Sequence, residues 1–241
     1  SGGWKDGTYH NCFGRGSLWT KGYTIVSIEY HPAGPDARWP VQLLDCLRAV
    51  RWMRTNAAKY NVDPKRFAVS GESAGAHLAA CVAVYGDDPK YADKDFPDVS
   101  AAVQAAVIGS GPLDILSSRR NHTDQKLKWN VENLIGGGPE RNPEGWNEAC
   151  MVLHVTGKLP PFFIWHGEKD DVIPIDEANH FVEALKTEGV PFEFILVKNG
   201  GHDALRPVQK DAPLEPDGAT VLKRMTAFLD TYLRQPEAHA P

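Results

Sequence analysis

The sequence predicts an α/β fold with a mostly parallel sheet and helices on both faces. Three observations support it: short apolar runs alternate with stretches of helical periodicity, turn-forming loops follow the apolar runs, and 241 residues suffice for one domain with a buried core. Residues 1–241 are therefore taken as a single domain. Because loops that follow parallel strands meet at one edge of the sheet, we expect functional side chains there.

The predicted elements follow one another in a regular order. β-Branched and aromatic residues predict a strand over 22–30, and apolar residues three and four positions apart predict a helix over 41–60. Residues 113–158 have weaker periodicity, with helices near 126–135 and after 142, and are predicted to be a variable insertion. The other predicted strands cover 66–70, 103–108, 162–165 and 192–197, and the other helices 73–84, 175–188 and 218–233.

Ser73 lies where a predicted strand meets a predicted helix. The sequence Gly71-Glu72-Ser73-Ala74-Gly75 is typical of a nucleophile elbow, a sharp turn that exposes a serine hydroxyl at the end of a sheet. We expect side chains at Gly71 or Gly75 to collide with neighbouring backbone. The alternative is a serine that only caps a helix.

A nucleophilic serine needs a base, and the base needs a third group that orients it. His202 follows the predicted strand 192–197, and Asp170 follows the predicted strand 162–165. The order Ser73, Asp170, His202 is the one expected when such a triad is built on this architecture. Asp171 remains the alternative acid. We interpret His77 as a buried packing residue and His166 as a turn residue.

Composition excludes several classes of function. The formal net charge is −5, and the chain has no apolar run of the length that spans a bilayer, so we expect neither a nucleic-acid nor a membrane partner. Cys12, Cys46, Cys81 and Cys150 are too far apart for a zinc site or a disulfide framework. We expect no metal and no cofactor. The compartment and a homo-oligomeric state are left open.

On these motifs the chain resembles the α/β-hydrolases, in particular the esterase and lipase group related to hormone-sensitive lipase and to bacterial acetyl-xylan and feruloyl esterases. The resemblance covers nearly the whole chain and includes residues 1–4 as the end of an oxyanion loop, 71–75 as the elbow, 163–174 as the acid loop and 200–202 as the histidine loop. It implies that the backbone N–H groups of Gly2, Gly3 and Ala74 bind the oxyanion. Candidates for the pocket wall are His31, Trp39 and Leu113, with core packing as the alternative for the last two.

The predicted function is a serine carboxylesterase that hydrolyses small acyl esters through an acyl-enzyme. The resemblance implies small-molecule or carbohydrate substrates, such as acetyl or feruloyl esters of polysaccharides. Residues 73–78 also resemble kynurenine formamidases, so an arylformamidase is one alternative. A non-catalytic ligand-binding protein or an inactive fragment is another.

The start of the chain departs from the family pattern. In the family a histidine and a further glycine precede Gly2, and an interior strand leads into them; here Ser1 stands at that glycine's place. We therefore expect an α/β-hydrolase fold that lacks its first strands and belongs to a longer enzyme. We also expect the 241 residues alone to associate and to show little activity.

Overall fold

Four parallel strands form one sheet in a computed structural model that describes residues 2–5, 15–117 and 125–234. They are Ala68–Glu72 (β1), Ala105–Gly109 (β2), Phe162–Gly167 (β3) and Phe192–Val197 (β4), and they lie side by side in that order. Each pairs in parallel with the next, with Val69 opposite Ala106 and Trp165 opposite Ile195. The mostly parallel sheet is confirmed, and all four strands end at the same edge.

Every helix that the periodicity predicts is present within a few residues, and Arg15–Thr20 is a further helix that was not predicted. The α-helices are Arg15–Thr20 (α1), Val41–Thr55 (α2), Ala74–Tyr85 (α3), Gln125–Ile135 (α4), Pro143–Glu148 (α5), Ile175–Thr187 (α6) and Gly218–Leu233 (α7), and short 3-10 helices cover Gly2–Trp4, Ala57–Tyr60, Pro89–Tyr91 and Met151–His154. The helix predicted over 41–60 is divided at Asn56, and Asn61 ends it in the left-handed conformation. None of the helices in the described ranges is both long and apolar enough to cross a bilayer.

Two hydrophobic cores cover the two faces of the sheet. Alternate strand residues such as Ile108 and Ile164 belong to the larger core, which includes residues of α2, α3 and α6. Val107 and Phe163 belong to the smaller core with residues of α1 and α7. Because successive side chains of a strand point to opposite faces, this alternation confirms helices on both sides.

The strand predicted over residues 22–30 is not formed. Residues 23–32 have no ladder partner within the described part of the chain. A cleft of about 450 Å³, lined by residues 22–26 and 66–70 among others, separates this segment from β1. β-Branched composition favours extended backbone, but a strand also needs a neighbour within hydrogen-bonding distance.

Candidate active site

The elbow at Ser73 joins β1 to α3 through strained backbone. Ser73 has φ 54° and ψ −127°, which a non-glycine residue adopts only when its surroundings fix it. A methyl group at Gly71 would lie 2.2 Å from the carbonyl oxygen of Gly75, so glycine is required there. The same expectation is wrong for Gly75, because a side chain from that position would enter open space.

Three side chains from the ends of β1, β3 and β4 form a chain of hydrogen bonds. His202 Nε2 lies 3.0 Å from Ser73 Oγ, and His202 Nδ1 lies 3.1 and 3.0 Å from the two carboxylate oxygens of Asp170. The Asp170 side chain is fully buried, whereas that of His202 is 28% exposed. Asp171, the alternative acid, is an exposed residue. The structure therefore brings together the serine, acid and base that the sequence selects.

Further donors hold the Asp170 carboxylate. The backbone N–H groups of Val172 and Ile173 each donate to Oδ1 at 2.9 Å, and Nε2 of the buried His166 lies 3.3 Å from Oδ2. Burial opposes ionisation of Asp170, but hydrogen bonds from His166 and His202 outweigh it and lower the pKa of this carboxyl group. Asp170 is therefore ionised at neutral pH.

The same contacts affect His202. Burial alone would lower the pKa of His202, but the hydrogen bond and the charge of Asp170, with smaller contributions from Glu72 and Asp171, raise it. Burial raises the pKa of Glu72 to about 7, the charge of Asp203 adds to this effect, and His202 opposes it. Perturbed titratable groups of this kind cluster at catalytic sites.

The contact of His166 with Asp170 and the effect of Glu72 on His202 were not predicted from the sequence. Glu72 lies next to the serine in the elbow, so its position was a usable signal. His166 lies four residues before Asp170, but the burial of its imidazole ring at the end of β3 and its contact with the Asp170 carboxylate come only from the folded chain.

The predicted oxyanion donors lie in two segments. Ala74 begins α3, where backbone N–H groups have no partner within the helix. Gly2 and Gly3 belong to the 3-10 turn Gly2–Trp4 and have φ of 58° and 65°, a left-handed conformation suited to glycine. The turn packs against α3 and α4. Its role in binding an oxyanion stays a prediction.

The three pocket candidates occupy different places. Leu113 and Trp39 are buried in the larger core, and the Trp39 indole donates to Glu148 Oε2 at 2.9 Å. His31 is exposed, with Nδ1 2.8 Å from Asp45 Oδ2. Trp39 and Leu113 therefore lie in the core, which is the alternative to a place in the pocket wall. That any of the three contacts a substrate stays a prediction.

Three of the four cysteines lie within the ranges that the structure describes. Cys46, Cys81 and Cys150 are buried and free, and Cys12 lies outside those ranges. Within residues 2–5, 15–117 and 125–234, no group of three His, Cys, Asp or Glu side chains could hold a metal ion.

Comparison with known proteins identifies the family. The family model BD-FAE matches residues 1–185. Esterase LipQ of Mycobacterium tuberculosis is 34% identical over 168 residues, which are 70% of this chain and 39% of LipQ, so the chain spans less than half of that relative.

Two solved structures share the fold. A truncated carbohydrate esterase from gut microbiota has a TM-score of 0.73 at 26% identity, covering 87% of this chain and 74% of its own. Thermogutta terrifontis esterase 2, phosphonylated by sarin, has a TM-score of 0.74 at 25% identity, covering 98% and 83%. With a family match over residues 1–185 and esterases of the same fold, the chain belongs to the BD-FAE family of α/β-hydrolases.

Proposed function

We propose that this domain is a serine carboxylesterase that hydrolyses acyl esters of carbohydrates through a covalent acyl-enzyme. The observation that carries the proposal is the continuous hydrogen bonding from Ser73 through His202 to Asp170. Membership of the family and the esterase relatives support the same class of reaction.

In the proposed mechanism Asp170 fixes the tautomer of His202. The ionised carboxylate accepts the Nδ1–H of His202, which leaves Nε2 free to accept the hydroxyl proton of Ser73. Ser73 Oγ then attacks the ester carbonyl carbon while its proton moves to Nε2. The tetrahedral intermediate collapses, the alcohol leaves with the proton from His202, and an acyl group remains on Ser73.

The second half of the reaction repeats the first with water. His202 takes a proton from water, the resulting hydroxide attacks the acyl carbon, and the proton returns to Ser73 as the acid leaves. In both halves we assign the negative oxygen to the N–H groups of Gly2, Gly3 and Ala74. The N-terminus of α3 adds a favourable dipole at that position.

The proposed substrate class is supported by the names of two similar proteins. One solved relative is named a carbohydrate esterase, and another curated relative is Endo-1,4-beta-xylanase B of Butyrivibrio fibrisolvens, 34% identical over 160 residues, 66% of this chain and 24% of its own. Both names point to polysaccharide substrates. We therefore propose acetyl or feruloyl groups on polysaccharides as the esters that are cleaved.

Covalent labelling tests the reaction class. A fluorophosphonate probe should label the parent chain, and Ser73→Ala should abolish both labelling and hydrolysis of p-nitrophenyl acetate. Ser70→Ala, which changes a serine of β1 three residues before Ser73, is the matched control and should keep both. Labelling of the Ser73→Ala variant at the parent rate would refute the proposal.

A substrate panel tests the specificity. Acetylated xylo-oligosaccharides, methyl ferulate and N-formylkynurenine should be compared at equal enzyme concentration, with Ser73→Ala as the blank. We expect the highest kcat/KM for a carbohydrate ester. Preference for N-formylkynurenine would instead assign the chain to the arylformamidases.

A further inference from the structure

A buried hydrogen bond connects the turn Gly2–Trp4 to the helix that follows Ser73. Trp4 Nε1 lies 3.3 Å from His77 Nδ1, and the two rings meet edge to face with centroids 5.3 Å apart. Trp4 is 1% exposed and His77 is fully buried. Packing alone does not require these two nitrogen atoms to face each other.

The second nitrogen of His77 defines the tautomer of the ring. Nε2 lies 2.8 Å from the carbonyl oxygen of Ala149, which can only accept, so Nε2 carries the hydrogen. In the neutral ring Nδ1 is then an acceptor and matches the indole N–H of Trp4. Burial lowers the pKa of His77 to about 4, which agrees with a neutral ring. The Cys81 thiol lies 3.8 and 3.7 Å from the ring nitrogens, a weak contact that the assignment does not need.

Trp4 has a backbone conformation that needs such support. Gly2, Gly3 and Trp4 all have positive φ, and Trp4, at 62°, is a bulky residue in a region that glycine prefers. The Trp4 carbonyl accepts the N–H of Ala33 at 2.8 Å, while its indole is held by His77. The turn is therefore tied to the molecule at both the backbone and the side chain of Trp4.

His77 is also tied to the elbow. It lies four residues after Ser73, and its own backbone N–H donates to the Ser73 carbonyl oxygen at 3.2 Å. One residue thus contacts the backbone of the serine and the side chain that ends the turn. A displacement of His77 would change the distance between the two segments.

We propose that His77 is a positioning residue for the oxyanion hole: as a neutral acceptor it fixes Trp4 and thereby the N–H groups of Gly2 and Gly3 relative to Ser73. This inference rests on the proposed function, since those N–H groups act only if Ser73 is the nucleophile. His77 itself does not touch the substrate.

Two substitutions of His77 separate its two hydrogen bonds. His77→Asn places an amide oxygen near the position of Nδ1 and keeps an acceptor for Trp4, whereas His77→Gln places an amide nitrogen near Nε2 and keeps the donor to Ala149. Trp4→Phe removes the indole N–H and keeps an aromatic ring. Trp146→Phe is the matched control, because Trp146 is equally buried and its indole N–H donates to Gly137 at 2.9 Å.

The substitutions at Trp4 and His77 should weaken stabilisation of the transition state and leave substrate binding nearly unchanged. Loss of a direct oxyanion donor lowers kcat about 100- to 1000-fold, so we expect Trp4→Phe and His77→Gln, which act indirectly, to lower it by about tenfold or more with little change in KM. Affinity for a trifluoromethyl ketone, which forms a tetrahedral adduct, should fall in parallel. His77→Asn should retain more activity than His77→Gln, and Trp146→Phe should match the parent. The double variant Trp4→Phe/His77→Gln should lose no more than the stronger single variant.

Several outcomes would overturn the inference. Folded Trp4→Phe and His77→Gln proteins, judged by thermal melting, that keep the parent kcat and ketone affinity would do so. So would additive losses in the double variant, or greater activity in His77→Gln than in His77→Asn. Long-range ¹H–¹⁵N spectra of the parent should show the Nε2–H tautomer of His77 at pH 7, and the Nδ1–H tautomer would refute the hydrogen bond itself. Failure of the proposed function is distinct, because the parent chain would then not be labelled by the fluorophosphonate.

Discussion

At the scale of single residues, the site depends on how Asp170 is held. Its buried carboxylate receives hydrogen bonds from His202, from His166 and from two backbone N–H groups. Nε2 of His166 is also 2.9 Å from the Ile173 carbonyl oxygen, which can only accept, so Nε2 carries a hydrogen. That N–H can donate to the Ile173 carbonyl oxygen and to Asp170 Oδ2 together. His166 therefore contacts the same carboxylate oxygen, Oδ2, that lies 3.0 Å from His202 Nδ1.

We predict that removing this donor weakens catalysis without removing the triad. A hydrogen bond to a charged group contributes about 1.5–3 kcal/mol, so His166→Leu should lower kcat by about tenfold or more. His166→Gln keeps a donor near Nε2 and should lose less. Steady-state kinetics with p-nitrophenyl acetate measures both. His154→Gln, which changes a half-buried histidine bonded to the Asn147 carbonyl oxygen, is the control, and equal kcat in the parent and in His166→Leu would contradict the prediction.

Glu72 is the second residue that affects the base. In the proposed mechanism only neutral His202 can accept the serine proton, so the rate should rise with pH through the pKa of His202, which is raised above its ordinary value of about 6.5. Because the pKa of Glu72 is about 7, Glu72 carries a negative charge above that pH and stabilises the protonated histidine.

We predict that Glu72→Gln moves the acidic limb of the pH–rate profile to lower pH. The substitution removes a charge that raises the pKa of His202 and keeps the shape of the side chain. Measurement of kcat/KM from pH 5 to 9 tests it, with the exposed Glu183→Gln as control. An unmoved limb, or one moved to higher pH, would show that Glu72 does not act on His202.

At the scale of elements, the junction of β1 and α3 depends on a single glycine. A methyl group at Gly71 would collide with the backbone of Gly75 and Ala76, which cannot move without displacing the start of α3. At Gly75 the same group would meet nothing within 4 Å. Of the two glycines of the motif, only Gly71 is therefore required by the space around it.

We predict that Gly71→Ala lowers the free energy of unfolding by about 1–3 kcal/mol or more, the range for overpacked sites. Gly75→Ala should leave it unchanged or raise it by up to about 1 kcal/mol, because Gly75 lies in α3, has space for a methyl group, and alanine favours a helix more than glycine. Urea denaturation of the two variants measures the difference. Equal destabilisation by both would mean that the helix start is packed differently.

At the scale of the whole molecule, β1 has a partner on one side and the cleft on the other. The Gln104 N–H donates to the Phe67 carbonyl, and the Ser73 N–H donates to the Gly109 carbonyl, so odd-numbered residues of this strand face β2. Alternate residues of a parallel strand bond to opposite neighbours. The backbone of Ala68 and Ser70 therefore faces the cleft beside residues 22–26.

We predict faster amide hydrogen exchange at Ala68 and Ser70 than at Val69 and Gly71 in the 241-residue chain. Among the residues that the structure describes, no strand pairs with the first pair on the cleft side, whereas the second pair bonds to β2. Exchange followed by NMR at neutral pH measures this difference. Equal protection of all four amides would show that a further strand occupies the cleft.

The sequence by itself determined the alternation of strands and helices, the elbow and the order of Ser73, Asp170 and His202. Periodicity and turn residues act over a few positions, so a single chain reveals them. The tertiary structure alone decided that residues 22–30 form no strand ladder within the described part of the chain, that a side chain at Gly75 would enter open space, and that Asp170 is the carboxylate bonded to His202. It also decided that Trp4 bonds to His77. The bonded groups lie 73 positions apart in Trp4 and His77 and 129 positions apart in Ser73 and His202, and contacts over such distances follow from packing and not from local pattern.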